Sequence, residues 1–270
     1  MVTQMTKKIP SFQLIFRSAL LGVFFLMVGC ASPSGNKESD SSDPKVKAGR
    51  LLSAANLAIM DGDSPEAVRL LIDAEALAPE VPEIHFSKAL AYYYMNLQEP
   101  AIASCQKTLA LNPGFTNARV LLGRIYMENE QYKDAQRELE IASKDESNRE
   151  QNKAYTNLGM VYYKSGQYEL AQTAFENAKK RAPSDSCTAN YYLGHLAARE
   201  SKYDQALAFY KEATQNVCGG IFADAHYAIG LTLEKMKRWL DARKKYLDVQ
   251  SLYPDTEVAN KAIGRLRGLP

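Results

Sequence analysis

The chain has 270 residues, 46% of them hydrophobic and 24% charged, enough for one or two domains with a buried core. Its 33 Lys and Arg stand against 31 Asp and Glu. Three of the basic residues (Lys7, Lys8 and Arg17) and none of the acids fall before Cys30, so the rest is close to neutral and no basic patch marks a nucleic-acid surface.

The first element is an apolar run from Ala19 to Gly29 behind that basic front. It is shorter than the roughly 20 residues a bilayer span needs. Charged front and short apolar middle have the layout of a secretory signal peptide. The run ends Leu26-Met27-Val28-Gly29-Cys30, which resembles a bacterial lipobox, with Met27 where the pattern usually has Leu. The resemblance implies cleavage before Cys30 and acylation of its thiol and its new amine. At roughly 0.8 kcal/mol per buried CH₂, several acyl chains give near-permanent anchoring. An ordinary signal peptide that happens to end near a cysteine is the alternative. By resemblance to Gram-negative lipoproteins, Ala31 implies sorting to the outer membrane, facing the periplasm. The following SPSGNKESDSSDP (32–44) has no large apolar residue and is expected to be a flexible tether. The expected layout is a signal peptide over 1–29, lipidated Cys30 and tether over 30–45, and a folded domain from Val46 to the end.

From Ala48 onward one pattern returns six times, every 34 to 36 residues, starting near 48, 82, 116, 152, 187 and 223. It is clearest in AYTNLGMVYYKSGQYELAQTAFENAKKRAP (154–183), where Leu158-Gly159, Tyr162, Gly166, Tyr168, Ala171, Phe175, Ala178 and Pro183 stand at the spacing of a tetratricopeptide repeat. A unit of this length is a helix–turn–helix that cannot bury its apolar face alone, so it stacks on its neighbours. The expected fold is all-α: a right-handed α-solenoid of six such repeats plus a C-terminal capping helix.

Within each unit, a small residue sits where helix A meets helix B: Ala55, Ala89, Gly123, Gly159, Gly194 and Gly230. The small residue of helix B is Ala67, Ala101, Ala135, Ala171, Ala206 and Ala242. The large residue of helix B is Leu71, Cys105, Leu139, Phe175, Tyr210 and Tyr246. Pro79, Pro113, Pro183 and Pro254 end helix B, because proline cannot donate a backbone hydrogen bond. Repeat three has Asp145-Glu146-Ser147-Asn148 there, and repeat five Cys218-Gly219-Gly220. Gly62, Asn96, Glu130, Gly166 and Ser201 are plausible turn residues inside the units; Lys237 is not. Val258, Ala259, Ile263 and Leu266 recur at helical spacing and predict the cap over 255–269.

Cys105 takes a buried helix-B position and reads as a small hydrophobe. Cys187 opens one helix of repeat five and Cys218 follows the other, so antiparallel packing brings them to one end of the unit. In an oxidising periplasm a Cys187–Cys218 disulfide is expected. Closing about 31 residues, it would stabilise by roughly 3–4 kcal/mol on the chain-entropy model. Two free thiols are the alternative, since helix axes stand about 8–10 Å apart and bridged Cα atoms lie within about 7 Å.

No Walker loop, HExxH, CxxC or GxSxG elbow is present, so no catalytic residue, cofactor or metal site is expected. His85 and His226 read as satisfied structural residues, and His195 as facing the groove. In a solenoid of this kind helix A lines the concave face. Its inward positions give Asn56 and Met60, then Phe86, Leu90, Tyr93 and Tyr94, then Asn117, Leu121, Arg124 and Met127. They continue with Lys153, Asn157, Met160 and Tyr163, then Tyr191, Tyr192, His195, Arg199, Tyr227 and Leu231. Tyr, Met and Asn give this surface the composition of a protein-binding face, and Asn can hold an extended peptide through donor and acceptor. The alternative is that half of these side chains pack on the next repeat. A Lys/Asn/Arg carboxylate clamp does not line up across consecutive units, so a C-terminal peptide ligand is not favoured.

A lipobox, a short tether and repeats such as LLGRIYMENEQYKDA, NLGMVYYKSGQYELA and YLGHLAARESKYDQA together resemble the type IV pilus biogenesis lipoproteins, the PilF/PilW/Tgl group of pilotins. The resemblance implies a non-enzymatic scaffold, anchored by lipid to the outer membrane, that assists insertion and multimerisation of a pilus secretin. The implied partner is an unassembled secretin subunit or other envelope protein, held as an extended segment. Two further readings stay open: a lipoprotein adaptor for a peptidase or peptidoglycan enzyme, and a subunit of the outer-membrane protein insertion machinery.

Overall fold

A computed structural model describes residues 43–215 and 222–270. Cys30, the expected signal peptide, all but the last residues of the tether, and Cys218 lie outside the described residues. The described residues form helices and no strand. They run as antiparallel pairs: α1 (Pro44–Met60) with α2 (Ser64–Leu77), α3 (Pro82–Tyr94) with α4 (Gln98–Leu111), and α5 (Thr116–Glu128) with α6 (Tyr132–Ser143). Next come α7 (Gln151–Lys164) with α8 (Tyr168–Arg181), α9 (Cys187–Arg199) with α10 (Tyr203–Ala213), and α11 (Ala223–Lys235) with α12 (Trp239–Leu252). The last helix is α13 (Glu257–Gly268).

Each helix packs on the next in sequence, and first helices also touch across units, α1 on α3, α3 on α5, α5 on α7 and α7 on α9. Second helices show no comparable contact with one another. The first helices therefore stand closer together and line the inner, concave face of an all-α solenoid.

The pairs are held by close approach. Ala55, Ala67, Ala89, Ala101, Ala135, Ala171, Ala206 and Ala242 are all fully buried. At Gly159 an added Cβ would sit 2.6 Å from the Phe175 ring, and Gly123, Gly194 and Gly230 meet Leu139, Tyr210 and Tyr246 in the same way. Repeat two shows the complement: Ala89 is tolerated where the facing side chain is the smaller Cys105, itself fully buried. Burial pushes the Cys105 thiol up to about 12, which makes it an inert core residue.

The turn residue of every pair adopts the left-handed region, from Asn96 and Lys237 at φ 58° to Gly62 at 83°. Lys237 thus takes the same conformation as Gly166. The turn closes identically: Arg238 N–H donates to Leu233 at 2.9 Å, as Gln167 N–H does to Tyr162 at 2.8 Å.

Three details depart from the sequence pattern. α1 starts at Pro44, four residues before Ala48, because Asp43 caps it by accepting from the Lys45 N–H at 2.9 Å. In repeat three, Asp145 replaces the missing proline. Its carboxylate accepts from the Ser147 N–H (3.1 Å) and hydroxyl (2.6 Å) and from Thr116, while the Gln151 amide donates to the Ser143 carbonyl at 2.7 Å. The third concerns histidine. His85 is satisfied, with Nε2 donating to the Pro79 carbonyl at 2.7 Å. His226 is not, because its buried Nδ1 has no partner among the described residues and neither has the Tyr253 hydroxyl beside it.

Candidate protein-binding groove

The concave face opens into a cleft of about 600 Å³ lined by α3, α5, α7, the start of α9 and three linkers. One wall is apolar: Phe86 and Leu90 from α3, Val120 and Leu121 from α5. Phe86 is braced from behind by Phe115, with ring centroids 5.0 Å apart. The other wall is polar, with Asn152, Thr156 and Asn157 on α7 and Thr188 on α9. Both cations of the lining are paired, while Asp185 accepts from the neutral Asn152 amide at 3.4 Å. Arg124 Nε donates to Glu128 at 3.0 Å and its guanidinium lies 5.2 Å from the Tyr93 ring centroid. Lys153 Nζ meets Glu150 at 2.5 Å.

Of the residues placed in the groove from sequence, Phe86, Leu90, Asn117, Leu121, Arg124, Lys153 and Asn157 line this cleft. Asn56 does not, and its amide oxygen accepts from the Ser87 hydroxyl at 2.8 Å. Tyr93 donates its hydroxyl to Glu128 at 2.8 Å, and burial with that bond pushes its pKa up to about 12. Asn117 accepts from the Asn148 amide at 3.2 Å, so one acceptor site is in use. Met127 belongs to the core, Met160 packs on the same cluster, and Tyr227 and Leu231 pack on the C-terminal one.

Tyr163, Tyr191, Tyr192 and His195 form an aromatic cluster instead. Tyr192 stacks on Phe175 with centroids 5.2 Å apart and planes 4° off parallel. His195 has Tyr191 at 4.5 Å and Tyr210 at 5.5 Å. Desolvation by these rings lowers the His195 pKa, opposed by Asp224, so the imidazole is neutral at pH 7. Arg199 covers the Tyr168 ring at 3.6 Å. No group of His, Cys, Asp and Glu able to hold a metal occurs among the described residues.

The cleft also takes in residues that a helix-A rule misses. Asp185 and Phe222 come from linkers between repeats, and Glu150 from the residue before α7. Their signal is position rather than type: each precedes a first helix and folds over the end of the groove. Cys187 lies at the rim of this cleft, at the first residue of α9.

Family models described as tetratricopeptide repeat match residues 99–158, 156–221 and 224–256. The chain is a tetratricopeptide-repeat protein. As such it is a scaffold of the protein-binding kind. No curated protein matches its sequence. PilF of Pseudomonas aeruginosa superposes with TM-score 0.71 at 18% identity, over 82% of this chain and 99% of PilF. PilW, a type IV pilus biogenesis factor, does so with TM-score 0.71 at 16% identity, over 80% of this chain and 98% of PilW. YrrB, a tetratricopeptide-repeat protein with an unusual peptide-binding site, matches with TM-score 0.53 at 25% identity, over 72% of this chain and 97% of YrrB. Among the described residues no helix of this tetratricopeptide-repeat protein is long and apolar enough to cross a membrane.

Proposed function

We propose that this tetratricopeptide-repeat protein is a lipid-anchored, non-enzymatic pilotin that assists outer-membrane insertion and multimerisation of a type IV pilus secretin. What supports the reading is the extent of the likeness: the same solenoid accounts for 99% of PilF and 98% of PilW, a pilus biogenesis factor. In this reading Cys30 carries the lipid, residues 30–45 are the tether, and the solenoid faces the periplasm. The cleft takes an extended segment of an unassembled secretin subunit. An apolar anchor side chain would pack on Phe86, Leu90 and Leu121, while Asn117 and Asn157 hold the segment's backbone.

The test is deletion of the gene followed by immunoblotting of unboiled membranes for heat-resistant secretin multimers. Multimers should disappear and return with the wild-type chain but not with Cys30→Ala. Multimers that persist without the gene overturn the pilotin reading.

The same compartment implies a Cys187–Cys218 bridge. Unfolded, unreduced protein should then label at Cys105 but at neither of those two cysteines. Labelling of both without reductant excludes the bridge.

A further inference from the structure

The outer face of the last repeat differs from those of repeats three to five. Aligned on the buried alanine of helix B, Leu240 takes the place held by Lys133, Glu169 and Asp204 in repeats three to five. Leu247 takes the place of Glu140, Glu176 and Lys211. Both leucines stand in solvent, Leu240 at 83% and Leu247 at 51% exposure, and Trp239 beside them is 38% exposed. Leu240, Lys244 and Leu247 fall at i, i+4 and i+7 of α12, on one helix face. Around them the charge is one-sided. Lys235, Lys237, Arg238, Arg243, Lys244 and Lys245 face only Asp241 and Asp248 in the stretch 235–248, in a chain that is otherwise near neutral. The two acids are already bound, Asp241 to Arg238 at 2.7 Å and Asp248 to Lys245 at 3.1 Å. Lys235, Lys237 and Lys244 have no ion-pair partner among the described residues.

We infer that the α11–α12 turn and the outer face of α12 dock on an anionic bilayer surface, with Trp239 and Leu240 entering the headgroup layer and the lysines meeting lipid phosphates. The chemistry favours a bilayer over a protein. Three separated apolar side chains on a convex helix face offer little area for a specific protein interface. They are sufficient for interfacial insertion, where Trp sits at headgroup level and each cation adds its own attraction to an anionic surface. The proposal is independent of what the concave cleft binds. Docking there would fix the solenoid at its C-terminal end.

Trp239 is the only tryptophan in the chain, so its emission reports on this turn even in the full chain, whatever the N-terminal segment does. Full-length protein is mixed with vesicles of phosphatidylglycerol and phosphatidylethanolamine, and separately with phosphatidylcholine alone. Each is made with and without brominated acyl chains. On the anionic vesicles the emission should shift to shorter wavelength and be quenched by bromine. Leu240→Asp should abolish both effects while leaving the circular dichroism unchanged, as its exposure allows. Lys237→Gln and Lys244→Gln should each weaken the partitioning read from the shift by about fivefold. Emission that does not change on anionic vesicles overturns the proposal, and so does equal quenching on both vesicle types. A shift produced by a polyglutamate peptide but not by vesicles would show a protein-binding patch instead.

Discussion

A single atom decides how closely the two helices of a repeat approach. Four of the six repeats carry glycine at that point, each beneath a large side chain of helix B. Gly159→Ala forces the Phe175 ring aside and should cost about 1–3 kcal/mol, read from denaturant unfolding. Because the Phe175 ring is what the added Cβ would meet, at 2.6 Å, adding Phe175→Ala should recover at least about 0.5 kcal/mol of the summed single losses. Strict additivity would show that the two positions do not meet. The turns give the opposite sign. A lysine at φ 58° bears a left-handed strain of roughly 1–2 kcal/mol, part of which glycine's extra unfolded freedom cancels. Lys237→Gly should therefore stabilise by about 0.5–1 kcal/mol, and Asn96→Gly by less, since Asn tolerates that region. Gly62, Asn96 and Gly166 announce their turns in the sequence. Lys237 does not, because its conformation is imposed by hydrogen bonds closing the turn, whatever side chain stands there.

At the scale of the element, the capping helix is held by a clasp. Glu234 on α11 accepts from Arg265 Nε of α13 at 3.0 Å and from the Tyr246 hydroxyl of α12 at 2.5 Å. Burial alone would raise the Glu234 pKa, but the bonds from Arg265 and Tyr246 outweigh it and the net shift is downward. A carboxyl with a folded pKa below its unfolded one stabilises above the unfolded value and loses that contribution as pH falls through the folded one. Hydrogen-exchange protection factors in α13, taken against the intrinsic rate at each pH, should accordingly fall as pH drops below the ordinary carboxylate range. Glu234→Gln should lower them already at neutral pH and remove the acid step, at a cost of about 1–3 kcal/mol. An acid step that survives in Glu234→Gln would point to another group. The helix itself was legible from Val258, Ala259, Ile263 and Leu266. Its most deeply buried contact is Ala262, fully enclosed, which a search for large apolar residues passes over. Asp145 was opaque for a related reason. An Asx turn ends a helix through hydrogen bonds rather than through a residue type as distinctive as proline.

For the whole molecule, the period carries almost everything. Thirty-odd residues per unit dictate the helix pairs, and stacking dictates the solenoid. The open groove is less legible, because inward-pointing and accessible are different properties. Helix-A positions are inward in every repeat, yet at Tyr192 the inward ring is consumed by stacking on Phe175, and the cleft runs over α3 to α9. What is left there is an apolar wall beside two cations already paired, Arg124 with Glu128 and Lys153 with Glu150, and a single further acid, Asp185, that accepts from the Asn152 amide. A partner seated in it is held by buried apolar surface, and electrostatic attraction has little left to add. Raising salt from about 0.1 to 1 M shortens the screening length from roughly 10 to 3 Å. Affinity for the captured segment should change by less than about threefold over that range. Phe86→Ser should instead weaken it by roughly 30-fold or more, the loss expected of a central anchor of about 2 kcal/mol. Titration of the two proteins at both salt concentrations separates the cases. A steep fall with salt, or a Phe86→Ser variant that binds as before, would move the partner off the apolar wall of this cleft.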